Sequence, residues 1–350
     1  MEAAATTRVR PARIRTAVLR TALGLCAGAI LILAFLRLVN VSAVYRRLEH
    51  LSIGFALACG VAFLGAYVVR ALRWRVLLRP DRVSIPRVVA IYQVATFLNW
   101  LLPVRGGELA KSLMLRQSDG IPVSRSLATV SMDKAMDLLP SVVLLSLLPF
   151  VPLHLSKALW VLLLTAMAVV ATGLLLLVVA AWRRERALAL LTRPLEAILP
   201  RAARERVEPC VVMFVDTLLR LIRQPRLLGV AAAYTVLAVA LDALFCLLAF
   251  RAVGVTVGLP IVLYGYTFYN LAFILPTPPG QVGSNELVGL LIFSGMFGLG
   301  RSGVGAMFLF SHPWTAILMT ISGLLCLSVM GLTLRNTLRL TRDSGEEVRA

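Results

Sequence analysis

Five ionisable side chains, Glu108, Asp133, Lys134, Asp137 and Glu286, fall within or beside stretches apolar enough to lie in a bilayer. A charge left in hydrocarbon costs on the order of 3 kcal/mol on insertion scales, so such groups face a cavity or one another. Asp133 and Asp137 stand one helical turn apart and project from one face. Two readings stand for that pair: they carry protons or hold a cationic group, or they neutralise Arg105, Lys111 or Lys134 and hold a bundle together. Glu286 ends the segment FILPTPPGQVGSNE, from Phe273, in which Pro276, Pro278 and Pro279 remove backbone donors while Gly280 and Gly283 let the chain turn back. Backbone freed at membrane depth needs partners inside the protein or in a watery cavity, and transporters build substrate sites near the bilayer midplane from such broken helices. Glu286 is therefore read as facing a ligand, with Ser284 and Asn285 placed to cap the helix that follows. Arg105, with Arg70 and Arg73, can fork onto phosphate oxygens; Arg70 and Arg73 also read as topology markers beside an interfacial Trp74.

Other chemistries find little support. Gly280 and Gly283 lack the Lys-Ser/Thr of a phosphate-binding loop and the strand that precedes one. The three histidines are far apart in sequence, the five cysteines show no paired spacing, and no metal or other cofactor is implied. With 59% hydrophobic and 15% charged residues, the chain has the composition of a polytopic membrane protein. Its net charge of +19 sits in short arginine-rich segments between apolar runs, where positive charge sets topology and meets anionic lipid. No nucleic-acid module is recognisable.

The elements that must position these residues are all helical. A first span covers about Ala17 to Leu36 and a second Leu51 to Val69, which ends in a basic cluster from Arg70 to Arg87. The stretch 88–116 runs into Asn99, Pro103, Gly106 and Gly107, and its polar second arm is a poor crossing, so it reads as a re-entrant hairpin. Ser126 to Leu148 and Lys157 to Trp182 follow as spans. The segment 183–226, with ten arginines and leucines at helical spacing, suggests amphipathic helices on the inner leaflet. Leu228 to Phe250 crosses, 260–299 holds the second broken hairpin, and Val304 to Leu334 is a last span carrying Pro313. One integral membrane domain, 1–350, results: a first half 1–182, the basic segment, and a second half 227–350. We expect an all-α bundle of about six full spans plus two re-entrant hairpins, possible halves of an inverted repeat, with both termini in the cytoplasm and the protein in the inner membrane.

Four motifs in order, Arg70-x-x-Arg73-Trp74, Asn99-x-x-x-Pro103-x-Arg105-x-Gly107-Glu108, Asp133-Lys134-x-x-Asp137 and Leu275-Pro276-x-Pro278-x-Gly280-x-x-Gly283-x-x-Glu286, resemble those of the lysylphosphatidylglycerol synthase transmembrane family of flippase-like proteins. Asp133 and Lys134 stand where that family usually shows Glu-Arg, and Lys111 where an arginine is usual. The resemblance covers the membrane part without the aminoacyltransferase domain of the best-known members, so it implies movement of a lipid between leaflets rather than synthase activity. Other relatives are linked to lipid-dependent glycosylation or hopanoid pathways.

The sequence thus leads to an expected binding set of Arg70, Arg73, Asn99, Arg105, Glu108, Lys111, Asp133, Lys134, Asp137, Pro276, Gly280, Gly283, Asn285 and Glu286 around a polar or anionic lipid headgroup. Arg105 and Lys111 would hold its phosphate, and Glu108, Asp137 and Glu286 would respond to a proton or a cationic headgroup. The expected partners are membrane lipids and a separately encoded lipid-modifying enzyme, with no nucleic acid. The competing expectation is a membrane-embedded transferase or an accessory subunit in lipid-linked glycosylation, hopanoid or aminoacyl-lipid synthesis.

Overall fold

A computed structural model describes residues 11–101, 106–147, 223–272 and 277–332, with isolated positions between 165 and 219. Among these residues the regular structure is helical, with no strand. The expected span at Lys157 to Trp182 and most of the basic segment 183–226 lie outside the described residues, as do Arg105 and Pro276.

The first helix, α1 (Pro11–Leu38), is followed by a short α2 (Val41–Glu49) bent 91° away from its apolar part. Asn40 makes that corner by accepting the Ala43 N–H at 3.0 Å as an N-cap. Next come α3 (Ile53–Leu77), α4 (Ile85–Leu101), α5 (Gly107–Asp119) and α6 (Val123–Leu147). Gly120, at φ 68°, closes α5 by donating to the Arg116 carbonyl. In the second half, α7 (Pro225–Ala252) begins with proline at its first position, where a missing N–H costs nothing. It is followed by α8 (Leu259–Ala272), a 3₁₀ turn at Pro279–Gln281, α9 (Ser284–Leu290), one π turn at Leu291–Met296 and α10 (Arg301–Val329).

Among the described residues, three helices, α3, α7 and α10, are long and apolar enough to cross a membrane, and a fourth crossing exists if the bent pair of α1 and α2 is one span. Polar residues are distributed as a bilayer dictates. Ile53, Val61, Val236 and Val329 are exposed on the outer faces, whereas Arg73, Lys111, Asp133 and Glu286 are buried inside.

Helix α3 corrects one expectation. The second span was expected to end at Val69, with Arg70 and Arg73 beyond it, but the helix continues two turns further and buries Arg73 and Trp74 completely. A guanidinium is tolerated there because two carboxylates from α6 meet it.

Both broken stretches fold back on themselves. In the first, α4 and α5 pair as a helical hairpin whose open ends are tied by Arg87 Nη1 donating to Asp119 Oδ1 at 2.7 Å. Near the tip, Gly107 lies so close to α4 that a Cβ there would sit 2.1 Å from the Ala95 carbonyl oxygen. In the second, α8 packs against the α9 and π-turn arm, with Gly265 under the Phe293 ring. Its tip rests on a Gly24-x-x-x-Gly28 face of α1: Pro279 fills the space above Gly24 and the Val282 carbonyl approaches Gly28. The two tips also meet each other, Trp100 covering Gly280.

Candidate functional site

The first hairpin carries a network of fixed charges. Glu108 opens α5, and its Oε1 accepts from Asn99 Nδ2 at 3.0 Å while the Asn99 side-chain oxygen accepts the Gly107 N–H at 2.8 Å. Two ammonium groups converge on this carboxylate: Lys111 Nζ lies 3.1 Å from Oε2 and Lys134 Nζ 3.0 Å from Oε1. Lys111 is buried, and its ammonium sits 3.7 Å from the centre of the Tyr92 ring, a cation–π contact that replaces water on that side. Behind it, Arg73 donates from Nε to Asp133 Oδ1 at 2.8 Å and from Nη2 to Asp137 Oδ1 at 2.7 Å. Tyr92 Oη donates to the other Asp133 oxygen at 3.1 Å, and Thr235 accepts from Arg73 Nη1 at 3.2 Å. Helices α3, α4, α6 and α7 are thereby joined through one guanidinium and its carboxylates. Removing a single member of such a buried set costs about 3–5 kcal/mol, because the charge left behind has no partner.

One turn before Arg73, Arg70 forks onto Asp242 of α7, with Nη1 donating to Oδ1 at 3.2 Å and Nη2 to Oδ2, while its Nε lies 3.5 Å from Asp137. These groups open onto a cavity of about 610 Å³, within the roughly 300–1,000 Å³ usual for small-molecule sites. Arg70, Lys134, Asp137 and Asp242 line it on one side, Asn99, Trp100, Glu108 and Lys111 come from the first hairpin, and Tyr269, Asn270, Gln281 and Asn285 from the second. Lys134 is the accessible cation of the set, with its side chain 50% exposed against 1% for Lys111 and 16% for Arg70.

At the second tip the charge is of another kind. Glu286 sits in the first turn of α9, and its Oε2 accepts the Gly283 N–H at 2.8 Å, which the positive φ of Gly283 turns toward it. Its Oε1 lies 2.5 Å from Nδ1 of His312, a residue of α10 immediately before Pro313. The far ring nitrogen of His312, Nε2, is 2.8 Å from the Gly280 carbonyl oxygen. Asn285 meanwhile accepts a hydrogen bond from the Tyr269 hydroxyl. Ser284 donates to the Gln281 carbonyl at 2.9 Å, so it braces the turn rather than capping α9.

Of the residues singled out from the sequence, Arg70, Asn99, Glu108, Lys111, Lys134, Asp137 and Asn285 line the cavity. Arg73 and Asp133 lie behind its wall, held by each other, and Glu286, Gly280 and Gly283 form the frame of the second tip. For Asp133 and Asp137 the structure favours neutralisation, with Arg73 shared between them, Lys111 beside Asp133 and Arg70 beside Asp137. Lys111 contacts Glu108 and Tyr92 instead of presenting a free ammonium. Sequence reasoning passed over Asp242 and His312. Asp242 had a signal, being a lone acid within a span otherwise free of charge. His312 had none beyond its neighbour Pro313, since its partners lie at sequence separations that no motif spans. Among the described residues, no three His, Cys, Asp or Glu side chains are grouped to hold a metal ion.

Apolar helices around buried ion pairs and a polar cavity define a multi-pass α-helical membrane protein. Residues 18–323 match the family described as the lysylphosphatidylglycerol synthase TM region. The chain belongs to that family. No curated protein and no solved structure matches it.

Proposed function

We propose that this protein moves a lipid with a phosphate-bearing polar headgroup between the leaflets of the inner membrane. The observation that carries the reading is the cavity itself: a chamber that sets charged side chains among apolar ones between the two hairpins, inside a bundle whose outer face is apolar. A headgroup occupies the chamber while its tails stay in lipid outside. Lys134 and Arg70 meet the phosphate, an assignment that shifts the grip away from the buried Lys111. An entering anion competes with Glu108 for Lys134, and Glu108 keeps Lys111 as its partner. In this reading the chain makes six crossings with two re-entrant hairpins, from opposite faces in the manner of an inverted repeat, and both termini are cytoplasmic.

Leaflet exchange in proteoliposomes tests this, with labelled phosphatidylglycerol and a labelled polyprenyl phosphate offered in parallel. Wild type should exchange at least one of them, and Lys134→Gln should slow that exchange while folding normally. Absence of exchange for both lipids would defeat the proposal. A second reading, a membrane-embedded transferase, is favoured by the Glu286–His312 pair, which has the composition of a general acid and base. It requires that purified protein consume a lipid donor and release a product of altered mass. As an accessory subunit, the protein would instead recover a lipid-modifying enzyme through segment 183–226, and deletion of that segment would abolish recovery without changing exchange.

A further inference from the structure

We infer that Glu286 and His312 form a proton-binding site that couples headgroup movement to the uptake and release of one proton. The Gly280 carbonyl can only accept, so Nε2 of His312 carries a hydrogen and donates it. That leaves Nδ1 facing Glu286 Oε1 at 2.5 Å. If both atoms were acceptors, their lone pairs would be pressed together. One proton therefore lies between them, whether written as imidazolium and carboxylate or as imidazole and carboxylic acid. Both forms have the same proton count and zero net charge.

Loss of that proton to water in the cavity changes the pair's charge from zero to minus one and leaves lone pair against lone pair. The contact must then open. What opens is the strap from α10 to the second hairpin, because His312 grips the Gly280 carbonyl while Glu286 holds the Gly283 N–H. His312 lines the cavity, so the proton has a route to water that Glu286 alone lacks.

The surroundings leave this pair as the group that switches. From α8 the Tyr269 hydroxyl is engaged with Asn285, and α7 adds Cys246 near Tyr269. Against the tip, α1 brings Gly28, Leu31 and Ile32, and α4 brings Trp100. Within α10, Ser311 bonds to Met307 and Thr315 to the His312 carbonyl. Across the cavity, Arg70, Glu108, Lys111, Lys134, Asp137 and Asp242 are paired with one another. An anionic headgroup in that chamber repels the unloaded, negative pair and favours the loaded, neutral one. Proton and anionic lipid therefore bind cooperatively, each raising the affinity for the other by the same factor. The coupling rests on the lipid-transport reading above; the proton site does not.

The test uses full-length protein with His50→Gln and His154→Gln, which leaves His312 as the remaining histidine, labelled with ¹⁵N and reconstituted in nanodiscs. Its imidazole signals are followed from about pH 5 to 9, the range that brackets ordinary histidine titration. A single step at Nδ1, with Nε2 protonated on both sides and a midpoint higher in phosphatidylglycerol than in phosphatidylcholine discs, is the expected result. Signals that stay unchanged over the range, or a step confined to Nε2, overturn the proton site. In proteoliposomes, an imposed pH gradient should drive net lipid movement by wild type, and Glu286→Gln should abolish that response to the gradient. Exchange by wild type that ignores the gradient overturns the coupling and leaves lipid transport standing. A titrating His312 without any lipid exchange supports the proton site and overturns the transport reading together with the coupling.

Discussion

The two hairpins set a glutamate at the same place, just beyond a glycine-rich break, and surround it differently. Glu108 meets the Asn99 amide and two ammonium groups, Lys111 and Lys134. Glu286 meets a backbone N–H and a histidine. Similar backbone devices thus yield an ionic fixture in one half and a carboxylate–imidazole contact in the other. Under the proposed transport, a headgroup between them would touch a wall of ion pairs on one side and the proposed proton site on the other.

That contrast can be broken from the first side with the largest effect. Arg73→Met should cost about 3–5 kcal/mol, by leaving Asp133 and Asp137 buried without their guanidinium. Thermal unfolding in detergent should show the loss, and a variant as stable as wild type would remove the fixture from the argument. On the second side, Gly283→Ala must place a side chain at φ 78° and a Cβ 2.4 Å from the Gly28 carbonyl oxygen. Strain of this kind is worth about 1–3 kcal/mol, and the same assay should report a smaller loss than Arg73→Met. Lys134→Gln sharpens the comparison differently. It should change stability by less than about 1 kcal/mol, as expected for a half-exposed pair, yet slow lipid exchange about tenfold through loss of a charge-assisted contact to phosphate. Equal losses of stability and exchange would make Lys134 a structural residue. The smallest effect belongs to Arg87→Ala, whose side chain is 45% exposed at the open end of the first hairpin. No more than about 1 kcal/mol should follow, with exchange unchanged.

Helix positions were legible wherever apolar runs and breakers coincide. Pro103 and the Gly106-Gly107 pair marked the first break, and the Pro-Gly run marked the second, because a missing donor and a missing Cβ are properties of single residues. The end of α3 was not legible. Arg70 and Arg73 look like a cytoplasmic boundary until Asp133, Asp137 and Asp242 are brought beside them from helices distant in sequence. The site divides in the same way. Glu108, Lys134 and Glu286 announced themselves as charges in apolar surroundings, whereas the role of His312 depends on a carbonyl oxygen of Gly280, which no side-chain pattern encodes. The difference between Lys111 and Lys134 also lies in packing alone, since Tyr92 and Trp74 cover one and leave the other open.

The seating of the second tip on the Gly24 and Gly28 face of α1 has a consequence for biogenesis. Helix α1 leaves the ribosome well before Pro279 and Val282, and at 5–20 residues per second that interval is on the order of tens of seconds. The first hairpin needs only its own neighbours and can close early in synthesis. Until Pro279 and Val282 arrive, the small-residue face of α1 lacks this cover, and the same late step brings Glu286 within reach of His312.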